Sequence, residues 1–478
     1  MATNIVSEKK VSFNQIEKEI FRIVCKEGQE LTRELLEFMD DELSLRRDRS
    51  VYRDKGKRKT SIKTVYGEVE YCRRVYQAKT EDGRNAYVYL LDEEIGMDKI
   101  GLISTNLGEK IAATVVENPF RVTAGIISDT CGQSISHGGA WDFVQKLGAR
   151  LEMEEDEAVR EMNSGSPRGE KEVPVLFEEM DGLWIKMQGK RGKKAPGQEL
   201  KMATIYEGWD AESRNASRLV GKTVIAAMED SESFLQRREA RICRIYDAEK
   251  IGRRILNGDG ANWIHEPYDP DAIQQLDRFH VMKEIKRKIN HRGYQKKLQV
   301  LLRREKIEEL IEAVQIYADS VATEDEEDAK EEDALELKEY LENHKDDLKH
   351  YDSRGLEIPE PPKGVVYKYM GVQENQNATV AAGRMKHGRK RWSRTGANNM
   401  VKLLCSHENG DLIDAVDRFT DGSVWEGILE EIECLSAAKA PKEDGKGNNP
   451  YIERFGCHLP ILDTANAGTV RAMRGLIR

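Results

Sequence analysis

The chain has 478 residues, 34% of them charged, and no apolar run approaches the ~20 residues that a membrane-spanning helix needs. These values exclude an integral membrane protein and allow several domains with their own cores. Seven scattered cysteines form no C-x-x-C pair, and the first residues lack a basic-then-apolar signal. We therefore expect neither a disulfide framework nor a zinc ribbon, and we expect a cytoplasmic location.

The net charge of −10 is concentrated in one segment. Residues 324–347 contain 13 acidic and 3 basic residues, so the rest of the chain is neutral overall. Against this background, residues 46–59 carry 8 basic and 2 acidic residues, and residues 384–394 carry six basic residues and no acidic ones. A charge run is usually a solvated face. Phosphate affinity follows local charge density, however, so clusters of this kind favour nucleic acid as a partner.

In chain order, the first predicted elements are a helical region and a small basic β module. Apolar residues at helical spacing predict helix over 1–45, and alternating residues around Gly67 predict a hairpin within a module over 46–104. The basic side chains of this module are candidates for contacts with DNA, and they are Arg53, Lys55, Lys57, Arg58 and Lys59.

Residues 105–150 are predicted to be helical and to resemble a helix-turn-helix, with Gly132 at the turn. Gln133, Ser134 and Ser136 would then lie near the N-terminus of the second helix, where such motifs contact base edges. Two helices joined by a glycine turn are common, so DNA binding and plain helical packing both stay open for this region.

Residues 172–404 carry the pattern of a mixed α/β core. Apolar runs predict three antiparallel strands, then a helix, then a fourth strand, and the runs lie at 173–177, 183–187, 202–209 and 254–256. Acidic residues follow the first and fourth strands, which is the order of an RNase H-like catalytic core. Helical periodicity predicts an all-α insertion at about 270–360. We therefore expect an α+β multidomain fold, with a C-terminal region of open role at 405–478.

Three acidic residues of this core are candidates for a metal site. Asp181 follows an apolar run, Asp259 lies in an Asn-Gly-Asp-Gly sequence, and Glu374 opens a basic helical segment. Carboxylates are the ligands that Mg²⁺ prefers, with Mn²⁺ as a substitute, and two such ions could cleave a phosphodiester. Each acid also has an ordinary explanation. Asp181 and Asp259 lie in turn-like sequences, and Glu374 is an acid favoured in a first helical turn.

Asp277 and His280 lie between the second and third acids. Their spacing of three places them on adjacent turns of a helix, so each could orient the other. A role in the active site or at the DNA end and a structural role both stay open for His280.

Four ordered motifs resemble those of bacterial insertion-sequence DDE transposases of the ISLre type, which are related to the Mutator group. The motifs are Phe177-Glu-Glu-Met-Asp181, Gly258-Asp259-Gly260-Ala261-Asn262-Trp263, Leu276-Asp277-Arg278-Phe279-His280 and Gly371-Val-Gln-Glu374 followed by Arg384-Met385-Lys386. The resemblance runs from about residue 45 to the C-terminus. It implies that Asp181, Asp259 and Glu374 are catalytic metal ligands, and it places Asp277 and His280 near the active site.

The resemblance also implies the reaction and the partners. The reaction would be Mg²⁺-dependent cleavage at the ends of an insertion sequence, followed by attack of the freed 3′-hydroxyl on target DNA. The partners would be double-stranded DNA, as terminal inverted repeats and as target, and further copies of the chain in a homo-oligomer on DNA. The location would then be cytoplasmic and associated with the nucleoid.

The basic segment after the third acid is a further candidate for DNA contact. Arg384, Arg389, Lys390 and Arg391 could grip phosphates flanking the cleaved one. Trp392 could stack on a base or sugar, and a buried packing role is an equal alternative.

Two other functions remain as alternatives: a non-catalytic helix-turn-helix regulator, in which the acids are turn residues, and a stand-alone metal-dependent DNA nuclease. Convergence of the three carboxylates in space would separate the catalytic interpretations from the regulator.

Overall fold

The computed structural model describes residues 11–80, 82–96, 103–165, 169–189, 193, 195–213, 218–322 and 328–419. The region predicted at 405–478 therefore lies outside the described residues from position 420 onward. Within the described part of the chain, no helix combines the length and apolar character that a bilayer crossing requires.

A long helix and a small antiparallel sheet form the N-terminal part. Helix α1 (Phe13–Arg46) begins at Ser12, whose hydroxyl accepts a hydrogen bond from the Gln15 amide, while the Gln15 side chain accepts one from the Ser12 backbone. This reciprocal capping box satisfies two amides that would otherwise lack partners. The helix packs on a sheet of three strands, which are β1 (Arg53–Thr64), β2 (Gly67–Lys79) and β3 (Asn85–Val88). A short helix, α2 (Leu90–Glu94), follows.

Three helices come next: α3 (Thr105–Glu117), α4 (Phe120–Thr130) and α5 (His137–Ser164). Helix α5 continues past the boundary of 150 expected from the sequence. Its second half is acidic, and those acids pair with basic residues of other helices, as Glu155 does with Lys402 and Glu161 with Arg244. It ends at Gly165, which adopts the left-handed conformation typical of a helix C-terminus.

The described residues in the middle of the chain form seven strands and one helix. In order they are β4 (Lys171–Ile185), β5 (Gln198–Tyr206), β6 (Gly208–Asp210), β7 (Leu219–Val220), β8 (Thr223–Ala227), α6 (Ser231–Ile245), β9 (Tyr246–Gly258) and β10 (Ile273–Leu276). The main sheet has the order β10-β9-β4-β5-β8. Strands β4, β5 and β8 pair antiparallel, whereas β9 is parallel to β4 and β10 is parallel to β9.

Strand β4 corrects two expectations. The sequence predicted separate strands at 173–177 and 183–187, with Asp181-Gly182 as a possible hairpin turn between them. The structure has one continuous strand instead, in which Asp181 pairs with Met202 and Gly182 with Lys201 of β5. The three antiparallel strands are therefore β4, β5 and β8. Asp181 lies inside a strand and not at its end, so the turn explanation for Asp181 is wrong.

Helices cover both faces of this sheet. On one face, Met180, Ala203 and Ile225 pack against α6. On the other face, Met202 and Val224 share a core with residues of α3, α4 and α5 and with a later helix. The helices that the sequence assigned to a DNA-binding region thus pack directly on the main sheet.

Four helices lie between the fifth strand of the sheet and the third acid. They are α7 (Arg278–Lys288), α8 (Arg292–Arg303), α9 (Ile307–Val321) and α10 (Asp328–Asn343), and they enclose a core of their own. A 3₁₀ turn (Tyr351–Arg354) and strand β11 (Val365–Val366) follow, and β11 pairs with β6 in a small sheet with β7.

The last described segment is helical. Helix α11 (Gln373–Gln376) passes through a π-helical stretch (Asn377–Ala382) into α12 (Gly383–Met385), and then come α13 (Arg394–Asn409) and α14 (Leu412–Phe419). A π-helical turn inside an α-helix is rare and frequently marks a functional site. Here it begins three residues after Glu374.

Candidate functional site

Asp259 is the first residue after β9, and the two glycines beside it fix its position. Gly258 lies so close to Ile264 that a Cβ there would stand 2.5 Å from Ile264 Cγ2. Gly260 has a φ of +85°, in the left-handed region that favours glycine. The Asp259 carboxylate accepts a hydrogen bond from the Ala261 amide at 2.8 Å. The Gly-Asp-Gly sequence therefore makes a tight turn that presents Asp259 at the end of the strand.

Asp181 lies beside Asp259 because β4 and β9 run parallel and pair Glu179 with Asn257. Asp181 follows Glu179 by two residues, and Asp259 follows Asn257 by two residues, so the two aspartates are neighbours. Ligand atoms of Asp181, Asp259 and His280 all lie within 4.8 Å of one another. The structure therefore brings together the first two acids of the sequence motifs and the histidine that lies between the second and third.

The electrostatics of Asp181 reflect this crowding. The pKa of Asp181 is raised to about 6, chiefly by burial; the charges of Asp259 and Glu374 contribute to the rise, whereas His280 and the Gly182 amide oppose it. The Gly182 amide donates to Asp181 Oδ1 at 2.7 Å. A nearby positive charge would stabilise the ionised form of this carboxyl group.

His280 is held by Asp277. The Asp277 carboxylate caps α7 by accepting from the Phe279 amide at 3.1 Å, and it bonds His280 Nδ1 at 2.9 Å. His280 Nε2 then faces Asp181, with 3.8 Å between Nε2 and Asp181 Oδ1. Burial lowers the pKa of His280, but the hydrogen bond with Asp277 and the charges of Asp181 and Asp259 outweigh burial and raise it. The geometry favours an imidazole oriented toward the acids.

Glu374 lies close to this group but outside it. Among the described residues, the group within 4.8 Å comprises Asp181, Asp259 and His280, so the expected cluster of three acids is corrected to two aspartates and a histidine. Glu374 is exposed in the first turn of α11, and its charge contributes to the raised pKa of Asp181. Asn377, and not Glu374, is the residue of this segment that contacts Asp181: its side-chain amide donates to Asp181 Oδ2 at 2.6 Å.

Glu179 positions the segment that carries Glu374, and the sequence motifs did not single it out. Its buried carboxylate accepts from the Gly371 amide at 3.0 Å, the Gln373 amide at 3.3 Å and the Tyr206 hydroxyl at 2.6 Å. Burial raises the pKa of Glu179, and the hydrogen bonds from Gly371 and Tyr206 partly oppose that shift. Alternation along β4 is the signal that could have found it, because residues two apart share a face with Asp181.

Asn377 is the second residue that sequence reasoning missed. It is buried at the start of the π-helical stretch, and its side-chain oxygen accepts from Gln373 Nε2 at 2.9 Å. It therefore links Asp181 to the helix of Glu374. No sequence signal marks a buried asparagine of this kind.

A buried ion cluster lies on the opposite face of β4. Arg254 bonds Glu178 at 2.8 Å and Glu239 at 2.8 Å, and Arg238 lies 3.1 Å from Glu178 and 2.5 Å from Glu266. Three carboxylates face two guanidinium groups, so one negative charge of the cluster is not neutralised when all five groups are ionised. Burial raises the pKa of Glu266 to about 7, and the charge of Glu178 adds to that rise against the two arginines.

The donor set fits a divalent cation. Two carboxylates and one imidazole nitrogen converge within 4.8 Å, and a third carboxylate acts on one of them. Oxygen donors suit Mg²⁺ and Mn²⁺. A bound cation would also relieve the repulsion and burial that raise the pKa of Asp181.

A family model described as "Uncharacterised protein family (UPF0236)" matches residues 6–420. The chain belongs to this family. A UPF0236 protein in the vanSb 3′ region of Streptococcus gallolyticus is 24% identical over 353 residues, which is 72% of each chain. A UPF0236 protein of Caldanaerobacter subterraneus subsp. tengcongensis is 24% identical over 409 residues, or 84% of this chain and 80% of the relative. Another from that organism is 23% identical over 97% of each chain, and its name joins eleven designations.

These names correct the family that the motifs suggested. The resemblance to insertion-sequence transposases of the ISLre type, related to the Mutator group, predicted membership of that group. That prediction is wrong, because the matching family is UPF0236 and none of these relatives is named a transposase.

Several residues expected to contact DNA lie in the interior of this UPF0236 chain. Arg384 is buried, donates to the Val115 carbonyl at 2.8 Å and lies over the rings of Phe120 and Trp392. Burial lowers its pKa to about 10. Trp392 is buried and donates to the Met385 carbonyl, which corrects the stacking role in favour of packing. Gln133 is buried as well, so it cannot read base edges.

The other candidates are at least partly accessible. Ser134 and Ser136 are exposed, and Ser136 caps α5. Arg389 is exposed, Arg391 is half-buried, and Lys390 donates to the Arg384 carbonyl at 2.6 Å. Of the five candidate basic residues in β1, all are exposed except half-buried Lys55. Two of them are paired with acids, Lys57 with Asp41 and Lys59 with Glu70.

Proposed function

We propose that this UPF0236 protein is a metal-dependent enzyme that cleaves and transfers DNA strands, of the DDE transposase type. One observation carries the proposal. Asp181 inside β4 and Asp259 at the end of β9 meet with His280 within 4.8 Å, and Glu374 is near enough to shift the pKa of Asp181. A protein that used these acids only as turn residues would have no need to bring them together.

Asp181 and Asp259, with His280 beside them, are the residues that would hold the cation, and Glu374 lies outside this group. A divalent cation held there would supply charge that activates the attacking oxygen of a phosphodiester cleavage and neutralises the leaving one. Asp277 accepts from His280 Nδ1 and so orients the imidazole, whose Nε2, in the protonated form of the ring, would donate a hydrogen bond to a phosphate oxygen. Glu179 and Asn377 hold the segment of Glu374 against β4.

The fold supports this proposal. Strands β4, β5 and β8 are antiparallel, β9 and β10 are parallel to β4, and the acids lie on the first strand and after the fourth of these five. We infer an RNase H-like core with an all-α insertion from this order. Tyr340 of the insertion donates to the Asp259 carbonyl at 3.0 Å, so the insertion is attached at the site.

The relatives add a second line of support. The name of one relative joins eleven designations, a pattern expected when one sequence recurs in a genome. A protein that moves its own coding DNA would produce such recurrence. We therefore infer double-stranded DNA ends and a target as the substrates, a homo-oligomer that holds two ends, and action on the chromosome in the cytoplasm.

The proposal is tested with the purified full chain and a plasmid that carries its coding sequence with the flanking DNA. We expect Mg²⁺- or Mn²⁺-dependent strand breaks at the flanks and joined products, detected by sequencing. Asp259→Asn should abolish both while leaving DNA binding intact, because it removes a charged ligand and preserves shape. Asp271→Asn, in an exposed position of the same loop, is the matched control.

Each alternative predicts a different result. Strand breaks without joined products would support a stand-alone nuclease and contradict strand transfer. Specific DNA binding with no breaks in either metal would support a regulator. Unchanged cleavage by Asp259→Asn would contradict the assignment of Asp181, Asp259 and His280 as the catalytic site.

A further inference from the structure

An exposed aromatic ring lies beside the candidate metal centre. Phe279 is the second residue of α7, between Asp277 and His280, and 42% of it is exposed. Its ring is perpendicular to the His280 imidazole, with 5.5 Å between the centroids. The Asp277 carboxylate accepts from the Phe279 amide, so the backbone of Phe279 is fixed by the residue that also orients His280.

A second exposed ring belongs to the segment that leads to Glu374. Tyr369 is 60% exposed and lies two residues before Gly371, whose amide donates to Glu179. The guanidinium of Arg278 lies 4.8 Å from the centre of the Tyr369 ring. Asp277 Oδ1 lies 3.9 Å from the place where a side chain on Gly371 would begin. The start of α7 and the segment of Tyr369 are therefore neighbours at the edge of the site.

Isolated exposed aromatic residues are ordinary on a protein surface. These two differ because they come from separate elements and each element also carries a residue of the site. Phe279 is not needed to fill the core of the insertion, which is built from other residues of α7, such as Val281 and Ile285. The Tyr369 ring already packs on His350, with 4.0 Å between the ring centroids.

We propose that Phe279 stacks against an unpaired nucleobase of the DNA strand next to the phosphate that is cleaved. The inference rests on the proposed function and adds the class of substrate, which is a DNA end that is frayed or single-stranded at the site. Stacking of a base on an aromatic side chain offsets part of the free energy needed to unpair and unstack that base. Every base has a π face, so this contact works without sequence preference.

The test measures binding without metal, so that it does not depend on cleavage. A DNA duplex with a short unpaired arm, labelled with 2-aminopurine at the junction, is compared in EDTA with a fully paired duplex of the same sequence. Wild-type protein should bind the forked duplex roughly fivefold tighter or more and change the 2-aminopurine fluorescence. Phe279→Ala should lose both effects, and Phe279→Trp should keep them. Phe13→Ala, an exposed ring at the start of α1, is the control.

The possible results separate this inference from the proposed function. Equal loss of affinity for both duplexes in Phe279→Ala, or a change in its oligomeric state, would overturn the stacking inference. Cleavage by wild-type protein without any preference for the forked duplex would overturn the inference and leave the proposed function standing. A preference for the fork that depends on Phe279, without cleavage in Mg²⁺ or Mn²⁺, would support the inference and contradict the enzyme.

Discussion

Glu179 lies between two parts of the chain that have to meet for the site to form. Its carboxylate belongs to β4, and the amides that it accepts from belong to the segment 371–373, almost two hundred residues later in the chain. Asn257 of β9 donates to the same carboxylate at 3.1 Å. One buried side chain therefore joins the strands of the two aspartates to the helix of Glu374.

Glu179→Gln is expected to loosen this junction. A glutamine has one oxygen and an amide that cannot accept, so at least one buried donor loses its partner, at a cost of ~1–3 kcal/mol. We expect a lower free energy of unfolding in urea, and a smaller rise in melting temperature when Mn²⁺ is added. Glu172→Gln, on an exposed position of the same strand, is the control and should behave as wild type. A glutamine variant with the stability and Mn²⁺ response of wild type would contradict this role.

The sequence identified the residues of the site whose chemistry is visible in a short motif. Asp259 is flanked by glycines that its turn requires, and the spacing of Asp277 and His280 matches the contact between them. Arg384 could not be assigned in this way. It belongs to a basic cluster, and local charge density does not distinguish a solvated arginine from one buried against aromatic rings.

At the level of elements, strand β4 separates two kinds of chemistry. Glu179 and Asp181 face the helix of Glu374, whereas Glu178, the residue before Glu179, faces the buried ion cluster beneath α6. Neighbouring positions of one strand thus connect the face of the candidate metal site to a charged interior. Successive side chains of a strand point to opposite faces of the sheet, which produces this division. The separate strands expected on either side of Asp181 did not predict it.

The unbalanced cluster gives a prediction for pH. The pKa of Glu266 is raised from its ordinary value of 4.5 to about 7, so folding favours its protonated form. Its contribution to stability is complete below pH 4.5 and is lost as the pH rises through 7, by at most ~1.4 kcal/mol per pH unit. In EDTA, wild-type protein should lose stability relative to Glu266→Gln across that range. Glu249→Gln, at an exposed position of β9, should follow wild type. Parallel profiles for wild type and Glu266→Gln would contradict this explanation.

Helix α5 illustrates why an element can be predicted while its boundary is not. The sequence indicated a helix near 137–147 and an acidic linker after it. Glu155 and Glu161 find basic partners on α13 and α6, however, and these ion pairs depend on residues far away in the chain. The helix that carries these pairs continues to Ser164, and no pattern in the nearby sequence predicts that end.

For the whole molecule, the main consequence is a shared core. Leu107 of α3 and Phe143 of α5 pack in the same cluster as Met202 of β5, Val224 of β8 and Met400 of α13. A truncation that lacks residues 1–150 would remove α3, α4 and half of α5 from this cluster, so it would lose the fold along with any DNA-binding surface. The role of the N-terminal part in DNA binding therefore has to be tested by surface substitutions in the full chain.

The basic side chains of β1 offer such a test. Arg53 and Arg58 are exposed and Lys55 is half-buried, whereas Lys57 and Lys59 are already paired with acids. Replacing Arg53, Lys55 and Arg58 by glutamine should weaken DNA binding for all sequences, because each phosphate that is no longer neutralised keeps its counterions. The slope of log affinity against log salt should become shallower by ~0.9 for each such phosphate.

A matched triple variant controls for the change in net charge. Lys171 begins β4, Arg244 lies in the last turn of α6, and Lys250 lies in the first half of β9, so all three are near the end of the strands away from Asp181 and Asp259. Each is paired with an acid, so urea unfolding of this variant is measured as well, to check that the fold survives. Replacing these three by glutamine removes the same charge from a surface that the proposal keeps away from DNA, so the salt slope should stay as in wild type. Equal slopes for both variants, measured by fluorescence anisotropy from low to moderate salt, would mean that only overall charge matters. A salt slope in the β1 variant equal to that of wild type would show that the strand is an ordinary solvated face, and recognition of DNA would then have to come from another surface.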